Sequence, residues 1–343
     1  MRFISESTYQ DRLPDHATHP NHSVVLISPH QYFETEGGSV FPLRKALRTV
    51  SLTCDPLLGE EGLQEALADF NRAYLDHAVV LAGITEPVAA ELASLGFSVL
   101  KIGEEPWIDL QDFQPKGNRG KGVRAARNQA LRAGCLAEEW SEAVFHARRR
   151  EVEEVFREWR GLTFISMEGG ILATAPFADI PGRRFFAITR EGRLEAVLVA
   201  TPIRQGESYY LEDLVYRKKI ARGVQELAVL TALEALHASG ASRASLGMVL
   251  LRRLDRAGAS TFNPRSTLLR LLAKGIALFY NAEGQELFRK RFPIASWEAN
   301  YLAFRGPALL VEKPLRLAPS LTLAWSLLAM FLDMDPTFMW PWA

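Results

Sequence analysis

From Ser23 onward the apolar positions follow two alternating rhythms. Short runs rich in Val, Ile, Phe and Tyr predict strands: SVVLIS (23–28), HAVVLAGI (77–84), FSVLKIG (97–103), WIDL (107–110), ESYYLEDLVYR (207–217) and ASRASLGM (241–248). Longer runs with apolar residues three and four apart predict helices: EGLQEALADFNRAYLD (61–76), EPVAAELASLG (86–96), SEAVFHARRREVEEVFREW (141–159), GVQELAVLTALEALHASG (223–240) and STLLRLLAKGIALFY (266–280). The helix from Glu86 has Pro87 near its start and Gly96 at its end. RRFFAITREGRLEAVLVATPI (183–203) predicts a hairpin turning at Glu191-Gly192.

This order makes the fold class α/β (α+β): two similar lobes, each a mixed sheet flanked by helices. The expected divisions are a flexible arm over 1–22, a first lobe over 23–115, basic connecting helices over 116–150, a second, catalytic lobe over 151–306 and an apolar, aromatic tail over 307–343. His16, His19 and His22 recur at three-residue spacing in the arm, but no Cys or acidic ligand completes a metal site there, so none is expected. The tail holds an uncharged run, Leu317–Leu332, followed by Phe338, Trp340 and Trp342. It reads either as a helix docked on the protein's own core or as an interfacial anchor.

Composition narrows the choice. The chain has 343 residues, 48% of them hydrophobic, enough for two domains with a sizeable core. Its 40 basic and 40 acidic residues cancel, so any contact with nucleic acid or phospholipid must come from local patches. The 2 cysteines, Cys54 and Cys135, form no CxxC and suit a reducing cytosol. No window reaches the ~20 apolar residues needed to span a bilayer.

The strongest local patch is KGNRGKGVRAARNQALRAG (116–134), cationic throughout and without Asp or Glu. On a helix, Lys121, Arg124, Asn128 and Arg132 share one face, while Val123, Ala126 and Ala130 share the other. Cations with no acidic partner at helical spacing repel one another unless an anion visits. A second candidate is the strand-to-helix junction YYLEDLVYRKKIARGVQELAVL. Glu212 and Asp213 end the strand, Arg217 follows, and Gly223 opens the helix, whose free N–H groups favour phosphate. GNAT acyltransferases seat the CoA pyrophosphate on such a turn, which leaves a CoA-dependent N-acyltransferase as an alternative. A third is FYNAEGQELFRKRFPIASWEANY, where Glu283, Arg289 and Arg291 stand among aromatics and the arginines suit phosphate.

In fixed order, GEEPWIDL (103–110), the basic stretch 116–134, LEDL (211–214), SLGM (245–248) and FYNAEGQELFRKRFPIASWEANYLAF (279–304) resemble the cytosolic domain of the phosphatidylglycerol lysyltransferases. The resemblance implies a pair of GNAT-like lobes and transfer of an amino acid from aminoacyl-tRNA to a headgroup hydroxyl of an anionic phospholipid, in the cytoplasm and at the inner face of the membrane. On that reading Asp213 or Glu283 is the base, and Arg217, Arg289 and Arg291 bind phosphate or steady developing charge. Lys121, Arg124, Asn128 and Arg132 hold tRNA, with no metal or resident cofactor. A non-catalytic module binding tRNA or anionic lipid is the other alternative. Tyr216 stands where members carry Arg, with Arg217 one residue further on, and Asn300 stands where a basic residue is common.

Overall fold

The computed structural model describes residues 1–27, 30–46, 49–111, 113, 120–160, 176–253 and 282–306, the side chains of Val24, Ala46, Glu212 and Asp213 excepted. The first half supplies strands β1 (Arg2–Ile4), β2 (Gln31–Glu34), β3 (Val40–Ala46), β4 (Thr49–Leu52), β5 (Ala78–Ile84) and β6 (Ser98–Asp109). The second supplies β7 (Cys135–Trp140), β8 (Arg184–Arg190), β9 (Arg193–Ile203), β10 (Ser208–Tyr216), β11 (Arg243–Ser245), β12 (Val249–Leu250) and β13 (Ser296–Arg305). The helices are α1 (Glu6–His16), α2 (Asn21–Val24), α3 (Leu63–Ala73), α4 (Glu86–Ser94), α5 (Lys121–Arg132), α6 (Glu142–Ala147), α7 (Arg149–Arg160), α8 (Val224–Ala238) and α9 (Ala282–Arg289).

The expected mixed sheets flanked by helices are present, and they run into one another. The strand order is β1-β2-β3-β4-β5-β13-β6-β11-β10-β9-β8-β7, with β12 also on β6. Strand β13 joins the halves by pairing antiparallel with β5 on one side and β6 on the other. Pairs β4–β5 and β10–β11 are parallel, which makes the sheet mixed. FSVLKIG and WIDL, expected as two strands, are one, β6, bulged where Asn300 pairs Gly103 and Tyr301 pairs Lys101.

Alternation places the core. In β9, Ala196, Leu198 and Ala200 face α8, while Val197 and Val199 join Phe145, Val152 and Val155 of α6 and α7. Helix α8 is therefore buried on nearly all sides, with Leu227, Leu230, Leu233 and Leu236 among its core residues. Truncating a fully buried Leu such as Leu230 to Ala would cost about 2–5 kcal/mol. In the first half Phe41 stacks on Phe70, centroids 4.5 Å apart, beneath α3 and α4. The β8–β9 hairpin turns on Glu191 (φ 53) and Gly192 (φ 78), the positive-φ pair that a tight hairpin turn requires.

Three expectations are corrected here. Residues 1–22 are folded rather than a flexible arm: Tyr9, His19 and His22 are buried, Ser5 caps α1, and Arg2 and Arg12 both pair with Glu34 of β2. SVVLIS is not a strand; it forms α2 and a 3-10 turn at Val25–Ile27, which buries Val25 against the Tyr9–Tyr32 cluster and overrides the β preference of the run. The linking segment 116–150 contains β7, which pairs with β8, so α5 belongs to the second half's packing. The polar-aromatic end of the family-like motif is β13. The expected helix 266–280 and the tail 307–343 lie outside the described residues. Among the described residues no helix is long and apolar enough to cross a membrane.

Candidate functional site

Strands β10 and β11 run parallel for Ser208–Tyr210 against Arg243–Ser245 and then part. Strand β10 continues to Tyr216 on β9 alone, while the chain after Ser245 turns through Leu246–Met248 before β12 rejoins β6. The notch opens at the C-terminal ends of parallel strands, where open α/β sheets place ligands. Its turn is fixed from two sides: Arg289 Nε donates to the carbonyls of Leu246 and Gly247, both at 3.0 Å, and the Gly247 N–H donates to Ser245 Oγ at 3.0 Å.

Beside the notch the register brings polar residues onto one face of the central strands. Glu105 pairs opposite Glu298, Gly103 opposite Asn300, and Trp107 opposite Ser296 and Ser245. Glu105 is 2% exposed and accepts from His19 Nε2 at 3.0 Å and from Ser245 Oγ. Burial pushes its pKa up, but His19, Ser245 and Asn300 more than offset this and hold it below the ordinary value. Burial pushes His19 down, and the Glu105 charge and hydrogen bond turn the net shift upward. Among the described residues, Asn300 Oδ1 and Trp107 Nε1 are buried with no hydrogen-bond partner. Behind this face Glu104 meets Lys101 and Arg252, Arg252 reaches Glu286 at 3.1 Å, and its guanidinium lies 3.6 Å from the Trp297 ring centre.

The residues expected from sequence are distributed unevenly around this centre. Asp213 pairs opposite Val199, after the bulge between Leu211 and Asp213; its side chain and that of Glu212 lie outside the described ones. Glu283 is exposed in the first turn of α9. Arg217 is corrected: its side chain is 5% exposed and tied to Glu158 at 2.6 Å, Glu154 at 3.3 Å and the Leu194 carbonyl at 2.6 Å, so its donors serve the α7 contact rather than a phosphate. Arg289 holds the notch turn, and Arg291 pairs with Glu226. Gly223 has φ +91, and a Cβ there would lie 1.9 Å from the Ala126 carbonyl oxygen; it is a close-approach glycine between α8 and α5.

Helix α5 has the two faces its sequence predicts. Val123 and Ala130 are buried, while Lys121, Asn128 and Arg132 are exposed and Arg124 is half-buried. Arg127 pairs with Glu234 of α8 at 2.7 Å. Between α5, the start of α8 and α9 lies a groove of about 710 Å³, lined by Gly122, Ala126, Arg222, Glu226, Phe288 and Arg291 among others.

Glu105, His19, Ser245, Asn300 and Arg252 received no role from the sequence. One signal for Glu105 was present: two adjacent glutamates stand between the apolar residues Ile102 and Trp107, and a carboxylate there needs buried donors. Nothing local marks His19 as the donor.

The profile of the family described as phosphatidylglycerol lysyltransferase, C-terminal, matches residues 12–304. The phosphatidylglycerol lysyltransferase of Bacillus subtilis (strain 168) is 23% identical over 287 residues, covering 80% of this chain and 32% of that protein. The chain thus spans about a third of the relative's length. The C-terminal domain assigned as a lysylphosphatidylglycerol synthetase from Agrobacterium fabrum superposes with a TM-score of 0.75 at 18% identity, over 95% of this chain and 98% of that one. The structure of L-PGS from Bacillus licheniformis superposes with a TM-score of 0.73 at 18% identity, over 96% of each chain. At such identity the two structures speak for the fold.

Proposed function

The chain belongs to the family of phosphatidylglycerol lysyltransferase C-terminal domains, and from that premise we propose that it moves an amino acid from aminoacyl-tRNA to a headgroup hydroxyl of an anionic phospholipid at the inner surface of the membrane. The observation that carries the reading is the family match, which runs through the first half, α5, the notch and β13 without a break.

The reaction is an ester exchange. The lipid hydroxyl oxygen attacks the aminoacyl carbonyl carbon, its proton passes to a base, and the tRNA ribose oxygen leaves with a proton. A carboxylate on β10 or on α9, Asp213 or Glu283, is the base in this scheme. Lys121, Asn128 and Arg132, exposed, and the half-buried Arg124 present a row for the tRNA backbone. Arg289 holds the Leu246 and Gly247 carbonyls through its Nε and so shapes the turn at the notch. The CoA reading is the less favoured one. It needs phosphate oxygens at Gly223, where the Ala126 carbonyl oxygen already sits against the backbone.

The test is to incubate the purified chain with charged tRNA and phosphatidylglycerol vesicles and to extract the lipids. A new ninhydrin-positive phospholipid is expected. Its absence with folded protein, across several amino acids, overturns the proposal.

A further inference from the structure

The buried pair at the centre of the sheet reaches the notch through a run of hydrogen bonds. His19 Nε2 lies 3.0 Å from Glu105 Oε2. The other oxygen, Oε1, accepts from Ser245 Oγ, which in turn accepts from the Gly247 N–H at 3.0 Å. All four residues are buried. Gly247 sits in the turn where β10 and β11 part. Its φ is +79, and a Cβ there would lie 3.4 Å from Tyr210 Cε2 and Oη of β10 and 3.5 Å from Arg289 Nη2. The loop that carries His19 is itself clipped to the first half. Asn21 Nδ2 donates to the Gly83 carbonyl at 2.8 Å, and His22 Nε2 donates to the Asp55 carbonyl at 3.1 Å. Just before it, Asp15 accepts from Gln205 of the second half at 2.6 Å. The N-terminal segment thus touches both halves.

We propose that His19 is a positioning residue: acting through Glu105 and Ser245, it fixes the Gly247 amide and the turn that walls the notch, so that transfer there depends on the N-terminal segment. The dependence of transfer rests on the function proposed above. A carboxylate with a donor on each oxygen is held against rotation. Without His19, Oε2 is buried and unpaired, and the group must turn, take up a proton or draw in water. A protonated Glu105 could give its hydrogen to Ser245, and the hydroxyl would lose the direction in which it now donates. That direction matters at Gly247. A hydroxyl that donates to an ionised carboxylate accepts more strongly, so each bond of the run supports the next. Asn300 also bonds to Glu105, but a neutral amide does not balance the carboxylate charge. Arg289 holds the carbonyls of the same turn, not the Gly247 N–H, so the two anchors are separate.

The experiment follows hydrogen exchange of the Gly247 amide by NMR in the full chain, with the amides of β9 as reference. His19→Ala should speed exchange at Gly247 about tenfold, the weight of one hydrogen bond, and leave β9 as it is. Ser245→Ala removes the acceptor directly and should do the same, and adding His19→Ala to it should change nothing further. His19→Gln, whose amide N–H can serve Glu105, should restore protection. Arg12→Ala loosens the N-terminal segment at Glu34 and the Gly38 carbonyl without touching Glu105, and should leave Gly247 protected. Circular dichroism checks folding; should His19→Ala not fold, His19→Asn, whose shorter amide falls short of Glu105, takes its place. In lipid aminoacylation His19→Ala should lower kcat about tenfold with KM for charged tRNA within a few fold, and His19→Gln should recover it. Exchange at Gly247 that His19→Ala does not move, or that Arg12→Ala moves equally, overturns the proposal. So does a further gain from His19→Ala in the Ser245→Ala background, or wild-type transfer that His19→Ala does not slow. The expected exchange pattern in a wild type that transfers nothing overturns the proposed function and leaves His19 as the anchor of the turn.

Discussion

His19 Nε2 lies 3.0 Å from Glu105 Oε2, an ion pair between the N-terminal segment and the central strand with both side chains nearly closed to solvent. It joins a segment that reads as a polar arm to β6, which lies between β13 and β11 in the sheet. Next to it His22 accepts N–H groups of Thr18 and His19 at Nδ1, and its Nε2 donates to the Asp55 carbonyl at 3.1 Å.

Stability should depend on pH through these groups, with opposite signs. His19 is raised, so its contribution is full below the ordinary histidine value and is lost as pH rises through its higher folded value. Glu105 is lowered, so its contribution is full above the ordinary glutamate value and is lost as pH falls through its lower folded value. His22 is pushed down to about 4 by burial, so its neutral form favours folding above the ordinary histidine value, and that advantage fades as pH falls toward 4. Urea titrations across pH should show Glu105→Gln losing about 3–5 kcal/mol near pH 6, since His19 is left buried and unpaired. Glu105→Gln with His19→Gln should recover part of it. A loss in the double variant equal to the sum of the losses of Glu105→Gln and His19→Gln alone would mean the pair is not coupled.

Arg217 separates a structural role from a catalytic one. Its guanidinium bridges Glu154 and Glu158 of α7 and the Leu194 carbonyl. Arg217→Ala should therefore lower the unfolding free energy by about 1–3 kcal/mol, chiefly by leaving the Leu194 carbonyl without its donor, since Glu154 and Glu158 reach solvent. Turnover per folded molecule should stay within a few fold. A large drop in turnover with unchanged stability would return Arg217 to the reacting groups.

The row on α5 makes a quantitative claim. Changing Lys121, Arg124 and Arg132 together to Ala should reduce the slope of log affinity for tRNA against log salt by about 2–3, at 0.7–0.9 per phosphate contact. The melting temperature should move little, because Val123 and Ala130, which seat the helix, are untouched. An unchanged slope would leave a solvated face and no tRNA contact.

What the chain disclosed in advance follows from whether the signal is local. Helices α3, α4 and α8 and the β8–β9 hairpin were legible because apolar period, Pro87, Gly96 and the Glu191-Gly192 turn all lie within the element. The two faces of α5 were legible for the same reason. Strand β13 was not, because Ser296, Glu298 and Asn300 put polar residues on the face that meets Glu105 and Trp107, so the segment reads as amphipathic surface. The N-terminal segment was missed because its charges find partners in Glu34 and Glu105, far along the chain. Arg217 looked like a phosphate ligand because the α7 glutamates that claim it have no sequence neighbourhood with it. Buried polar pairs are long-range facts, and periodicity does not carry them.

The base itself is the last test. Asp213 follows the bulge of β10 at the point where that strand has lost β11, and Glu283 is exposed on the first turn of the helix whose Arg289 holds the notch turn. Asp213→Asn and Glu283→Gln preserve shape and remove the charge that would accept the hydroxyl proton. Both substitutions are nearly isosteric, so both variants should fold, as thermal melts would verify. At least one should lower turnover by about 10²–10⁴-fold, the usual contribution of a general base, while tRNA binding stays within a few fold. A base lost from Asp213 should also remove the acidic limb of the pH–rate profile, which a variant that merely shifts the strand would leave in place. Full transfer activity in both variants would exclude these two carboxylates as the base, and the proton would then pass to another acceptor, with the donor's own amino group the first to examine.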